Sequence, residues 1–460
     1  MNKVTEKQDL VSVLKALASR IRNEVHDASS KRTIQPEDEI YRRWKVDEFE
    51  YTEKGVKKST SHAEYITKKS WLRASIKIEE SIKKSDAHAS AARLLTKALG
   101  QKNKTAHYLE RFVGKLIYRY LEEPELSGSD ANTIVANFLK DVKEEPLKYG
   151  ATVELDGIVI IPKSIELRIG DTSLILRQIK IEDLEKEIPV YGFGMQQYSR
   201  IPSAILNIDF LGRQANEIQI RVEQAITILR LFKVGSVKYT AYHMRSESIT
   251  DVTASATLGA GGTLAALEKS QIRKEDIQKL KKFWQTMTKS LPLSFYELGE
   301  TRIDYITIAY KRYCDALLQN GVLERRIANA VMGLESLFLK GGETQELIYR
   351  LSIRIAKIFS LLGHDSYKVR DVVEDAYKVR NLFVHGDHLS YKQKRKLNAK
   401  YGDIRSFLLF LLDYLRISII AAIFMKKEKE ELLDLIDDSL VDHGKDTQLT
   451  NLLTSANSLI

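Results

Sequence analysis

Apolar and polar positions follow two different rhythms along this chain, and the changes of rhythm divide it. Residues 1–32 place Leu10, Val13, Leu14, Leu17, Ala18 and Ile21 at helical spacing and predict an opening helix. Residues 33–62 are polar and turn-rich, with Tyr41, Trp44, Phe49 and Tyr51 scattered through them. Residues 44–60 read as a small hairpin turning at Glu53, Lys54 and Gly55. Its interleaved lysines and aromatics fit a locally packed hairpin or a nucleic-acid face. Over 63–145 the helical period returns, with Ala89, Leu94, Leu95 and Ala98 before Gly100. Tyr108, Phe112, Leu116 and Tyr120 mark a helix over 106–121, and Asp130 caps another over 131–143 that Pro146 stops.

At about residue 150 the period falls to two. Segments 152–161, 164–169 and 173–181 are short and β-branched, with Gly170 and Asp171 as a turn. Ala204, Leu206, Ile208 and Phe210 alternate with Asn207 and Asp209. A helix carrying Ile218, Val222, Ile226, Leu229 and Phe232 follows, then a last strand at Val237, Tyr239 and Ala241. Residues 249–270 are small and glycine-rich; the GAGGT at 259–263 lacks the Gly-Lys-Ser/Thr of a phosphate loop, so a flexible linker is predicted.

From 271 the pattern is helical again, with segments at 301–319, 322–340, 344–362, 366–385 and 403–435. Connections are short except 386–402, as in an antiparallel bundle. The predicted fold class is α+β multidomain. A helical N-terminal region (1–145) leads into a β-rich middle domain with one helix (146–248), suited by architecture to sensing or positioning. The glycine-rich linker (249–270), an all-α bundle (271–440) and a polar, partly mobile tail (441–460) complete it.

Within the bundle, residues 369–388 read VRDVVEDAYKVRNLFVHGDH. Val369, Val372, Ala376, Val379 and Phe383 form a helical seam, widened by Val373 and Val384. Arg380 projects inside that apolar arc, roughly 20° from Val369. An arginine there needs an anion or a partner chain. His385 lies five residues on, a step of about 140° that helical stacking does not explain. Asn381 follows the arginine, and Gly386 suits a helix end.

This Arg-x4-His arrangement resembles the signature of the HEPN superfamily, small helical domains whose Arg-x(4–6)-His motif cuts RNA. With GLESLFL at 333–339 and ELIYRLSIRIAKIF at 346–359, KVRNLFVHG looks like the ApeA-like branch, found in prokaryotic antiviral defence. The resemblance covers about residues 300–425. It implies a HEPN-like bundle, a homodimer with a composite cleft, RNA as partner and metal-independent cleavage without a cofactor. A phage-derived trigger or an antitoxin would be the further partner.

The residue chemistry agrees. RNA carries its own nucleophile, the 2′-hydroxyl; cleavage needs a base, an acid and positive charge on the phosphorane. His385 suits proton transfer near neutral pH, Arg380 offers a permanently charged fork, and Asn381 can orient the imidazole or touch phosphate. Two histidines facing across a two-fold axis would supply both acid and base. The same residues also fit a core arginine paired with Glu335 or Glu374 beside a solvated cap histidine.

Lys392, Lys394, Arg395, Lys396 and Lys400 follow the motif and fit an RNA backbone or a solvated charged helix. Tyr349, Arg350 and Arg354 fit the cleft or structural packing. Asp387 and His388 beside His385 invite a zinc reading, but no other His or Cys cluster joins them.

Composition adds bounds. A chain of 460 residues, 43% hydrophobic, holds two or three domains. The single cysteine, Cys314, excludes an intramolecular disulfide framework, fits a reducing cytoplasm and reads as a small buried residue. No signal-peptide core opens the chain. The apolar run 407–425 has the length of a membrane span, but Asp413 and Arg416 in its middle can pair on one face, so a bundle core or a helix shared with a second chain is expected, and no membrane partner. A net charge of +10 favours polyanions. A non-catalytic RNA-binding or dimerisation module and the toxin half of a toxin–antitoxin pair stand as alternative functions.

Overall fold

The computed structural model describes residues 2–123, 128–185, 187–189, 201–250, 255–257, 269–296, 304–319 and 321–460. It is a mixed helix-and-sheet protein with a C-terminal helical region.

The chain opens with α1 (Asn2–Ser30), the hairpin strands β1 (Glu37–Thr52) and β2 (Gly55–Ser70), then α2 (Leu72–Lys83), α3 (Asp86–Leu99), α4 (Lys102–Glu122) and α5 (Gly128–Val142). The five helices share a core of Leu14, Leu17, Ile21, Ile82, Leu95, Phe112, Leu116 and Phe138 among others. The hairpin turns where expected, with Gly55 at φ +93°, a conformation L side chains rarely adopt. Its arms run far past 44–60, to Glu37 and Ser70, so residues 63–70 are strand and not part of a helical segment. Two largely polar faces leave no period to read. Ladder bonds and cross-strand pairs hold the arms instead, including Lys69–Asp38 at 2.5 Å and His62–Asp47 at 2.7 Å.

The middle region contributes β3 (Leu147–Asp156), β4 (Ile158–Ile160), β5 (Ser164–Ile169), β6 (Thr172–Arg177), β7 (Glu187–Pro189), β8 (Ala204–Gly212), α6 (Asn216–Phe232), β9 (Lys238–Ser246), β10 (Ser255–Thr257) and β11 (Ser270–Ile272). An antiparallel six-stranded sheet runs β10-β9-β3-β8-β6-β5; β7 joins β1, and β11 pairs in parallel with β4. The expected strand 152–161 is broken at Gly157 (φ +77°), where a Cβ would lie 2.2 Å from the Ser236 carbonyl oxygen. The linker expectation is corrected at both ends, since 255–257 and 270–272 are paired strands. The GAGGT stretch lies outside the described residues.

The rest is helical: α7 (Asp276–Ser290), α8 (Tyr305–Leu318), α9 (Leu323–Phe338), α10 (Leu347–Leu361), α11 (Ser366–Val384), α12 (Tyr391–Tyr401), α13 (Ile404–Met425), α14 (Lys429–Asp438) and α15 (His443–Asn457). By length and composition α13 could cross a membrane, yet 78% of its most apolar window is buried inside the protein. Helices α8, α9, α11, α12 and α15 surround it. Arg416 pairs with Asp413 at 2.8 Å and also donates to the carbonyls of Leu231 and Phe232 at the end of α6, at 2.8 and 3.2 Å.

Three expectations change here. The single helix over 403–435 is two, separated at Lys426 in the left-handed region (φ 48°). The connection 386–402 contains α12, started by a capping box between Ser390 and Gln393. The polar tail is α15, whose Leu449, Leu453 and Ala456 are buried against α13 and α14.

Sheet, α6 and bundle share one continuous apolar core. Trp284 of α7 donates to the Arg168 carbonyl of β5 at 2.9 Å, and Tyr310 and Tyr313 of α8 reach Thr227 and the Arg230 carbonyl of α6 at 2.8 and 3.0 Å. The middle region and the bundle therefore pack as one body.

Candidate active site at the Arg380–His385 turn

Helix α11 starts at Asp365, whose side chain accepts from the N–H groups of Tyr367 and Lys368. Val369, Val372, Val373, Ala376 and Val379 form the buried seam. The helix packs on α9, α10 and α13.

Arg380 is where the apolar arc placed it, with a quarter of its side chain exposed. Its Nη2 donates to Glu335 Oε2 of α9 at 3.4 Å and its Nη1 to Asn381 Oδ1 at 3.1 Å. The guanidinium also lies 5.6 Å from the Tyr377 ring centre. Its Nε is buried with no acceptor among the described residues. Glu374, the other expected partner, is taken by Arg370 at 2.8 Å and Ser352 at 3.4 Å.

Burial raises the Glu335 carboxyl pKa, opposed by the Arg380 charge and a hydrogen bond from Tyr377. Burial, followed by the Glu335 charge, raises the Tyr377 phenol in turn. Tyr377 thus belongs to the site, a residue that the seam read from the sequence did not include.

His385 ends the helix. Its backbone N–H donates to the Asn381 carbonyl at 3.1 Å, and its side chain is exposed. Gly386 follows at φ +83°, the left-handed cap that lets the chain turn away. Asp387 and His388 are exposed, and buried Leu389 pins the turn. Among the described residues no group of three or more His, Cys, Asp or Glu gathers as a metal site.

The basic candidates separate into three kinds. Arg354 is 1% exposed, and its five bonds go to Glu343, Asp437 and the Phe338 carbonyl at 2.6–2.9 Å. Every donor is used within the protein, so Arg354 is withdrawn from the RNA-facing set. Arg350, Lys394 and Lys400 are exposed or half-exposed but paired, with Glu343 at 3.3 Å, Glu324 at 3.5 Å, and Asp371 and Asp375 both at 2.9 Å. Lys392, Arg395 and Lys396 of α12 are exposed and have no ion-pair partner among the described residues. Tyr349 is exposed on α10, with the Arg370 guanidinium 5.9 Å from its ring.

Cys314 is half-buried beside Arg230 Nη1 at 3.8 Å, and burial pushes its thiol up. An open concavity of about 610 Å³ lies over Gly150 on the outer face of the sheet, where Asp209 and Arg245 approach to 3.5 Å.

No protein-family model, curated protein or solved structure matches this chain. The functional reading therefore rests on its own residues.

Proposed function

We propose that this chain is a metal-independent endoribonuclease of the HEPN type, cutting RNA with Arg380 and His385 and assisted by Asn381. The observation that carries the reading is that one helix end carries an arginine braced by Asn381 and Glu335 and, five residues on, an exposed histidine. A base removes the 2′-hydroxyl proton and the 2′-oxygen attacks phosphorus. The bond to the 5′-oxygen then breaks and that oxygen takes a proton, leaving a 2′,3′-cyclic phosphate and a 5′-hydroxyl. His385 is the group for one proton transfer, and His385 of a second copy for the other, which makes the working form a homodimer. Arg380 would turn its fork from Glu335 to the phosphate as charge grows there. Antiviral defence or growth arrest in the cytoplasm, with a phage-derived trigger or an antitoxin as regulator, is the setting this activity suits.

The test compares wild type with Arg380→Ala and His385→Ala on mixed cellular RNA in EDTA. Cyclic-phosphate ends made by wild type and lost in both variants are expected. Neither cleavage nor toxicity on expression, with or without the substitutions, would sink the enzyme reading. The Arg380–Glu335 pair favours a second reading, a non-catalytic RNA-binding or dimerisation module in which the arginine braces the fold. Wild type that binds RNA and never cuts it would select that one.

A further inference from the structure

One face of the β1–β2 hairpin carries the exposed residues Ile40, Arg42, Tyr65 and Thr67 around a partly covered Trp44. Its register sets Arg42 opposite Tyr65 and Trp44 opposite Ala63, so Ile40, Arg42, Trp44, Ala63, Tyr65 and Thr67 share one side. Tyr65 is 69% exposed and Ile40 38%. The Arg42 guanidinium lies over the indole of Trp44, 4.4 Å from the ring centre. Tyr65 and Trp44 are diagonal neighbours, about 7 Å apart in an antiparallel ladder. Among the described residues of the two strands between 38 and 46, Asp38 is the only carboxylate on this side, and it is already paired with Lys69 at 2.5 Å, which leaves Arg42 without an ion-pair partner among the described residues.

A single exposed tyrosine needs no explanation. Two aromatics and a guanidinium over one of them, gathered on one face of the sheet β2-β1-β7, are different, because a cluster of this kind marks an interaction surface. We propose that this face is a stacking platform for single-stranded RNA, one base resting on the Tyr65 ring and the next on the Arg42–Trp44 plane. Guanidinium and aromatic planes both accept unpaired bases, and every base has a flat face, so the contact is indifferent to sequence. Arg42 meets the backbone charge, in keeping with the net charge of +10. The platform would hold a strand for the site on α11. It rests on reading this chain as an RNA-cutting protein, and its test separates the two.

The experiment uses the full chain carrying His385→Ala, so that RNA survives, and follows fluorescence anisotropy of a labelled oligouridine. In that background Tyr65→Ala should weaken binding about tenfold, with Tyr65→Phe within about twofold of the parent. Trp44→Phe should bind better than Trp44→Ala. A duplex of matched length should compete poorly. Unchanged affinity in Tyr65→Ala, equal competition by duplex, or no binding by the parent would each overturn the platform. If wild type cuts RNA while Tyr65→Ala binds normally, the platform fails and the nuclease stands. If nothing is cut but binding depends on Tyr65, the reverse holds.

Discussion

Arg380 and Glu335 meet across α11 and α9 at 3.4 Å, longer than a good charge-assisted hydrogen bond, with both side chains mostly covered. Burial raises the Glu335 pKa, so folding favours its protonated form. That contribution is complete below the ordinary glutamate value and is lost as pH rises through the raised one. At neutral pH the ionised carboxylate depends on Arg380. Arg380→Ala should therefore cost about 1–3 kcal/mol, and adding Glu335→Gln should recover most of it. Urea melts of the four proteins in the cycle measure this. A loss in the double variant equal to the sum of the two single losses would show that the two residues are not coupled.

Arg354 offers a larger effect. It clamps Glu343 and Asp437, joining the segment before α10 to α14. Replacing it by alanine leaves the largely covered Glu343 carboxylate without its main cation, while Asp437, 39% exposed, can turn to water, and a loss of about 3 kcal/mol is expected. Thermal melting would reveal it; a shift within error would refute the clamp.

The same clamp carries a pH signature. The Arg354 bond is the main cause holding the Glu343 pKa down, to about 2. A depressed carboxyl stabilises the fold above its ordinary pKa near 4.5 and loses that contribution as pH falls toward 2. Wild type should lose stability over that window, and Glu343→Gln should flatten the curve there while lying lower at neutral pH. Parallel curves for both proteins would contradict the assignment.

For the proposed RNA contact, α12 divides its basic residues. Lys392, Arg395 and Lys396 have no partner among the described residues, whereas Lys400 is held by Asp371 and Asp375. Alanine at the first three positions should lower the slope of log affinity against log salt by about 2. Lys400→Ala should leave that slope unchanged. A titration series at several salt concentrations decides.

Leu449 and Leu453 of α15 are fully covered. Each alanine substitution should cost about 2–5 kcal/mol, far more than a mobile tail would register. Denaturation midpoints would show the difference.

What could be read from the pattern of residues follows burial on one surface. The bounds of β5 were read directly, because Ile165, Leu167 and Ile169 point inward while Glu166 and Arg168 point out. The seam of α11 as far as Val379 and the place of Arg380 beside it follow the same logic, whereas Val384, expected to widen the seam, is 53% exposed because the helix ends there and leaves the bundle. The hairpin arms did not, because neither face is continuously buried. Arg354 was ambiguous for another reason. Its partners Glu343 and Asp437 lie 11 residues before it and 83 after it, beyond any local window. The α15 spacing of Leu449, Leu453 and Ala456 was helical and readable; its polar surroundings masked it.

Helix α13 fills a space bounded by α8, α9 and α11, all of which precede it in the chain. Translation therefore delivers the walls before the filling. A nascent chain that has exposed Arg380 and His385 still lacks the segment that seats their helix, and must wait, with apolar surface open to chaperones, until residue 425 clears the exit tunnel. Whatever the turn does to RNA, it is assembled only after the message encoding it has been read well past the motif.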